Sequence, residues 1–167
     1  RMNRCGHVAK AVPIPVKTAL IGTGYWGSKL RSYLEGNPFF DLKQVCDSKS
    51  DLNEVWSNEK IKAVVVATRN DSHYELTKAA LVAGKHVLVE KPLAMEAGQA
   101  EEIRTLARHK GLHVVTEYTY TFSQALEWAQ QIVAKGKIGR LHGADFSVKL
   151  LGRFGGGSVY WLLGSHW

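Results

Sequence analysis

Three glycines in Gly22-Thr23-Gly24-Tyr25-Trp26-Gly27 are spaced as G-x-G-x-x-G directly after a short apolar run, VKTALI over Val16–Ile21. Between a strand and a helix, that spacing suits phosphate binding. The first glycine permits a tight turn, the second lets the backbone approach a diphosphate, and the third lets the helix pack closely on its strand. The helix start then adds unpaired N–H groups and a partial positive charge. Asp47 follows Gly27 by 20 residues. A carboxylate there can accept both hydroxyl hydrogen bonds of an adenosine ribose and repels a 2′-phosphate, so the pattern predicts NAD as the preferred cofactor, with NADP possible because Lys49 lies close by. The residues expected at the cofactor are Gly22, Thr23, Gly24, Tyr25, Trp26, Gly27 and Asp47.

These residues need a scaffold, and the hydrophobic pattern supplies one. Strands are expected at Val16–Ile21, Phe40–Cys46, 63–68 (AVVVAT), His86–Glu90 and 112–116. Helices are expected between them. The first, over 26–34, carries Trp26, Leu30, Tyr33 and Leu34 at helical spacing. Another begins with Ser72 and Glu75 as a capping box, buries Leu76, Ala79, Ala80 and Ala83, and stops at Gly84. A third has Ala100, Ile103, Leu106 and Ala107 on one face and ends at Gly111. Alternation at βαβ spacing predicts a Rossmann-like α/β domain, a doubly wound parallel sheet with helices on both faces.

In such a sheet, ligands sit at the carboxyl ends of the strands, where Thr68, Asn70, Glu90 and Lys91 all fall. Pro92 biases Lys91 toward an extended backbone. Beyond Tyr118 the rhythm changes. A helix is expected over 123–135, then a strand over 141–150, a glycine-rich loop over 152–157 and an apolar segment to Trp167. The expected organisation is a basic N-terminal extension over 1–15, a dinucleotide-binding domain over 16–119, and over 120–167 the start of an α+β substrate and oligomerisation domain.

Glu90-Lys91-Pro92, with the glycine loop and Thr68-Arg69-Asn70-Asp71-Ser72-His73, resembles the Gfo/Idh/MocA oxidoreductases, the group of glucose-fructose oxidoreductase and inositol dehydrogenases. The resemblance runs from about Val16 to the last residue. It implies hydride transfer between a nicotinamide and a sugar, cyclitol or polyol-like substrate. It also implies a catalytic Lys91 that polarises the substrate hydroxyl or relays its proton, His73 and Pro92 near the cofactor, and a homo-oligomer in the complete protein. Gly164-Ser165-His166 resembles the end of the family's D-x-G-x-H segment, which makes His166 a second catalytic candidate. Two positions depart from the pattern. Leu162 stands where the family commonly has Asp, and Arg69 where it often has proline. The first departure keeps open a non-catalytic nucleotide-binding or scaffolding relative.

Composition excludes other classes. Of 167 residues, 45% are hydrophobic and 22% charged, which argues against disorder. The net charge of +7 resides largely in Arg1, Arg4, Lys10 and Lys17, leaving 18 basic against 15 acidic residues from Thr18 onward. With no basic run interleaved with aromatics, nucleic acid is not an expected partner. The apolar runs are too short to span a bilayer, so no membrane partner is expected. Two cysteines, Cys5 and Cys46, form no disulfide framework or zinc spacing; no metal and a cytoplasmic setting are expected. A first residue of Arg and an end on an apolar run at Trp167 suggest a fragment, expected to bind cofactor but to be inactive alone because most of the substrate-binding sheet is missing.

Overall fold

The computed structural model describes residues 14–145 and 147. Five strands, β1 (Val16–Ile21), β2 (Phe40–Cys46), β3 (Ala63–Val66), β4 (His86–Glu90) and β5 (Val114–Glu117), form one sheet in the order β2-β1-β3-β4-β5. Every pairing is parallel. The order reverses beside β1, which places a crevice over its carboxyl end. The helices are α1 (Tyr25–Glu35), α2 (Asn53–Ser57), α3 (His73–Val82), α4 (Ala97–Lys110) and α5 (Gln124–Ala134).

Strand alternation sorts the core into two layers. Ala19, Ile21, Val64, Val66, Val87 and Val89 face one way, packing with Val55 of α2, Ala80 and Leu81 of α3, and Ile103 and Ala107 of α4. Leu20, Val65 and Ala67 face the other way, against Leu34 of α1. The expected doubly wound Rossmann-like sheet is therefore the observed fold.

Local departures have physical causes. Helix α1 buries Gly27 and Leu34 with Leu30 half-buried, whereas Trp26 and Tyr33, expected on the apolar face, are exposed. Gly27 must face the sheet because only a residue without Cβ fits there, and this turns Trp26 and Tyr33 outward. Helix α3 has no capping box. A 3-10 turn at Asn70–Ser72 leads into it, Ser72 already has near-helical torsions, and its hydroxyl is bonded to the Arg69 carbonyl instead. The fully buried face of α3 is His73, Thr77, Ala80 and Leu81; Leu76, Ala79 and Ala83 are only partly covered. The short helix α2 is not among the elements that the hydrophobic pattern predicts. Gly111 ends α4 with a left-handed φ of 64°, as its type predicts.

Helix α5 buries none of its residues. The strand expected over 141–150 is absent over 141–145, and its remainder, apart from Ser147, lies outside the described residues, as do the glycine-rich loop, Leu162 and His166. Among the described residues no helix is long and apolar enough to cross a membrane, and no group of three or more His, Cys, Asp or Glu could hold a metal ion.

Candidate dinucleotide site

Register aligns the strand ends. Ile21 pairs with both Cys46 and Val66, Val66 with Val89, and Glu90 with Glu117. The segments that follow these residues therefore emerge side by side on one edge of the sheet. The Gly22 N–H donates to the Cys46 carbonyl and the Ala67 N–H to the Ile21 carbonyl, both at 2.8 Å.

The three glycines of the loop differ in what surrounds them. Gly22 has φ +106°, and a Cβ there would lie 2.2 Å from the Ala67 carbonyl oxygen. A Cβ on Gly27 would lie 2.1 Å from the carbonyl oxygen of Gly22, so α1 can approach the loop this closely only with glycine. A Cβ on Gly24 would meet nothing within 4 Å. The space above Gly24 is thus open in the protein itself, as required where a diphosphate approaches the first turn of a helix.

That space belongs to a cavity of about 770 Å³. Its floor is Ile21 and the loop from Gly22 to Trp26. One wall is Asp47, Ser48, Ser50 and Leu52; the other is Ala67, Thr68, Arg69, Asp71, Ser72 and Leu76. Asp47 is exposed, and its Oδ1 accepts from the Lys49 N–H at 2.9 Å and the Ser50 hydroxyl at 3.0 Å. These bonds, that of Lys49 foremost, hold its carboxyl below the usual carboxylate range. Both fall on one oxygen, and a carboxylate offers a second to a ligand. Across the cavity the hydroxyls of Thr68 and Ser72 lie 2.7 Å apart, fixing the turn after β3.

The remaining predicted residues lie outside the cavity lining. Asn70 opens the 3-10 turn. Glu90, Lys91 and Pro92 follow β4 further along the same edge of the sheet, and the Lys91–Pro92 peptide is cis. Burial, then the charge of Glu117, pushes the Glu90 carboxyl above its ordinary range. Burial likewise holds the half-buried Lys91 ammonium below the usual lysine value, while Glu90 and Glu117 pull it back up. His73 is fully buried. Its Nδ1 lies 2.7 Å from the Pro92 carbonyl and its Nε2 3.2 Å from the Thr68 carbonyl, so it joins the cavity wall to the loop carrying Lys91. Ser48, Ser50 and Asp71 line the cavity without being among the expected cofactor residues, as does Arg69, noted in the sequence only as a departure from the family's proline. Glu117 is brought to Glu90 by the pairing of β4 with β5.

The oxidoreductase family with an NAD-binding Rossmann fold, Gfo/Idh/MocA, matches residues 16–118. The chain belongs to this family. As a Gfo/Idh/MocA protein it carries the NAD(P)-binding domain of an oxidoreductase, and its five-stranded sheet is that domain. Over 92 residues it is 44% identical to the uncharacterized oxidoreductase YhhX of Escherichia coli, an alignment covering 55% of this chain and 27% of that protein. Over 93 residues it is 39% identical to 1,5-anhydro-D-fructose reductase of Ensifer adhaerens, covering 56% and 28%. The crystal structure of GenD2 from gentamicin A biosynthesis, in complex with NAD, shares the fold at a TM-score of 0.72 and 22% identity, covering 78% of this chain and 42% of that one. The chain spans well under half the length of the curated relatives it matches.

Proposed function

We propose that this chain binds NAD or NADP in the cavity above the glycine loop, and that the complete protein transfers hydride between the nicotinamide and a sugar, cyclitol or polyol-like substrate. The observation that carries the reading is the geometry of the three glycines. Two are sterically obligatory against protein backbone, and the third leaves open the space a diphosphate needs. The reductase relative acts on an anhydro sugar by its name, which supports the substrate class.

When bound, the cofactor supplies a hydride acceptor or donor. The chain's residues do the rest. The loop amides and the start of α1 hold the diphosphate, and the second oxygen of Asp47 accepts from the adenosine ribose. Thr68 and Asn70, at and just after the end of β3, lie along the path from the diphosphate toward Lys91. His73 acts through the loops it joins rather than by touching the dinucleotide. Alcohol oxidation requires the O–H proton to leave as the C–H hydride does, and Lys91, already biased toward its neutral form by burial, is the group to polarise that hydroxyl or relay the proton. His166 is a second acid–base candidate. The start of the substrate domain after residue 119 and a homo-oligomeric complete protein belong to the same proposal.

Titration with NADH, read by quenching of Trp26 emission in the cavity lining, gives saturable binding, and Asp47→Ser weakens it. An unquenched spectrum at millimolar NADH sinks the cofactor reading. Leu162 favours the second reading, a non-catalytic relative. Turnover of any polyol with NAD by the complete protein rejects that reading.

A further inference from the structure

We infer that Arg69 is the contact for the 2′-phosphate of NADP, so that the cavity accepts both cofactors, with Asp47 favouring NAD and Arg69 admitting NADP. This rests on the reading of the cavity as a dinucleotide site and specifies which residue discriminates within it.

A 2′-phosphate brought to the ribose position meets the ionised carboxylate of Asp47, so it is excluded unless a cation compensates. Among the described residues lining the cavity, Arg69 is the single lysine or arginine. Lys49, suggested by the sequence because it adjoins Asp47, does not line the cavity. Arg69 stands on the opposite wall, and its backbone is anchored. Its carbonyl accepts from the Ser72 hydroxyl at 2.8 Å and the Ser72 N–H at 3.0 Å.

Its side chain is held differently. The guanidinium is 88% exposed and ion-paired with Asp71, itself 61% exposed, at 3.0 Å. An ion pair this exposed contributes little, because water screens it and two long side chains must be ordered to keep it. A phosphate can therefore draw the guanidinium away from Asp71 at small cost. A planar guanidinium also matches phosphate oxygens with two parallel N–H bonds, a geometry that a lysine cannot reproduce. A fixed backbone, a weakly held fork and a place on the cavity wall are the properties of a residue that serves one cofactor and ignores the other.

The test measures Kd for NADPH and NADH with the chain and with Arg69→Ala, which removes only exposed atoms. The expected result is a loss of roughly tenfold or more for NADPH and less than about twofold for NADH. Asp71→Asn should tighten NADPH, and should do so less in the presence of Arg69→Ala. Equal losses for both cofactors would mean that Arg69 touches their shared part, and would overturn the inference. Unchanged NADPH binding, or wild-type binding of NADH alone, overturns it while leaving the cavity a dinucleotide site. Binding of neither cofactor by a chain with an intact far-UV spectrum overturns both.

Discussion

Glu90 and Glu117 are register partners on the neighbouring parallel strands β4 and β5, so two carboxyl groups stand side by side at the edge of the sheet that carries the site. Glu90 is buried, and Thr119 donates its hydroxyl to Glu117. Lys91 follows Glu90 directly; both carboxylates favour the lysine's charged form, and the charge of Glu117 opposes the ionisation of Glu90. The nicotinamide end of the proposed site is thus a small coupled group of two acids and one base. The adenosine end is a cleft of hydroxyls with two exposed carboxylates and one guanidinium.

The raised pKa of Glu90 sets a pH dependence of stability. The folded state holds this proton more tightly than the unfolded chain, so the stabilisation is complete below the ordinary carboxyl pKa and is lost as pH rises through the folded value. Glu90→Gln cannot ionise and escapes that loss. Urea unfolding at pH 4 and at pH 7 should show the variant gaining on the wild type as pH rises, by on the order of 1 kcal/mol. A difference independent of pH would show that Glu90 is not ionising in a buried site.

The imidazole of His73 joins two loops through two carbonyl groups. A neutral ring has one N–H to donate, and the Pro92 oxygen, the nearer at 2.7 Å, has first claim on it. Removing the ring leaves a void and takes the donor from the buried Pro92 carbonyl. His73→Ala should lower the unfolding free energy by roughly 2–4 kcal/mol in denaturant titration. A cost under about 1 kcal/mol would refute the bridge as a structural element.

Gly24 and Gly27 should separate binding from folding. Gly27→Ala drives a methyl group into the Gly22 carbonyl, so both the melting temperature and NADH affinity should fall, with a stability loss of about 2 kcal/mol or more. Gly24 has ordinary extended torsions and open space, so Gly24→Ala should melt within a few degrees of the wild type. The same methyl group would occupy the proposed diphosphate position, and NADH affinity should drop roughly tenfold. Full-strength binding by Gly24→Ala would place the diphosphate elsewhere.

Lys91→Met tests the proposed proton relay in the complete protein. Turnover should fall by about 10²–10⁴-fold, while NADH affinity changes by less than about threefold. With the neutral amine taking the proton, wild-type kcat for alcohol oxidation should rise with pH through a midpoint below the ordinary lysine range, because burial disfavours the Lys91 ammonium. Comparable losses in binding and turnover would make Lys91 a cofactor-binding residue only.

The sequence by itself was enough for the sheet, the turn geometry of the glycine loop and the family, because each depends on local information. Runs such as AVVV declare buried parallel strands, and glycine spacing declares a turn that side chains cannot enter. Residues 16–118, the span matched by the family, carry nearly all of those signals. Tertiary structure alone decided which faces the helices present and which residues meet. Trp26 and Tyr33 turn outward because Gly27 must turn inward, a constraint set by a contact across the loop rather than by helical periodicity. His73 became a buried bridge, and Glu117 became the neighbour of Glu90, through strand order and register. Those are pairings between segments tens of residues apart, and no local pattern of residue types encodes them.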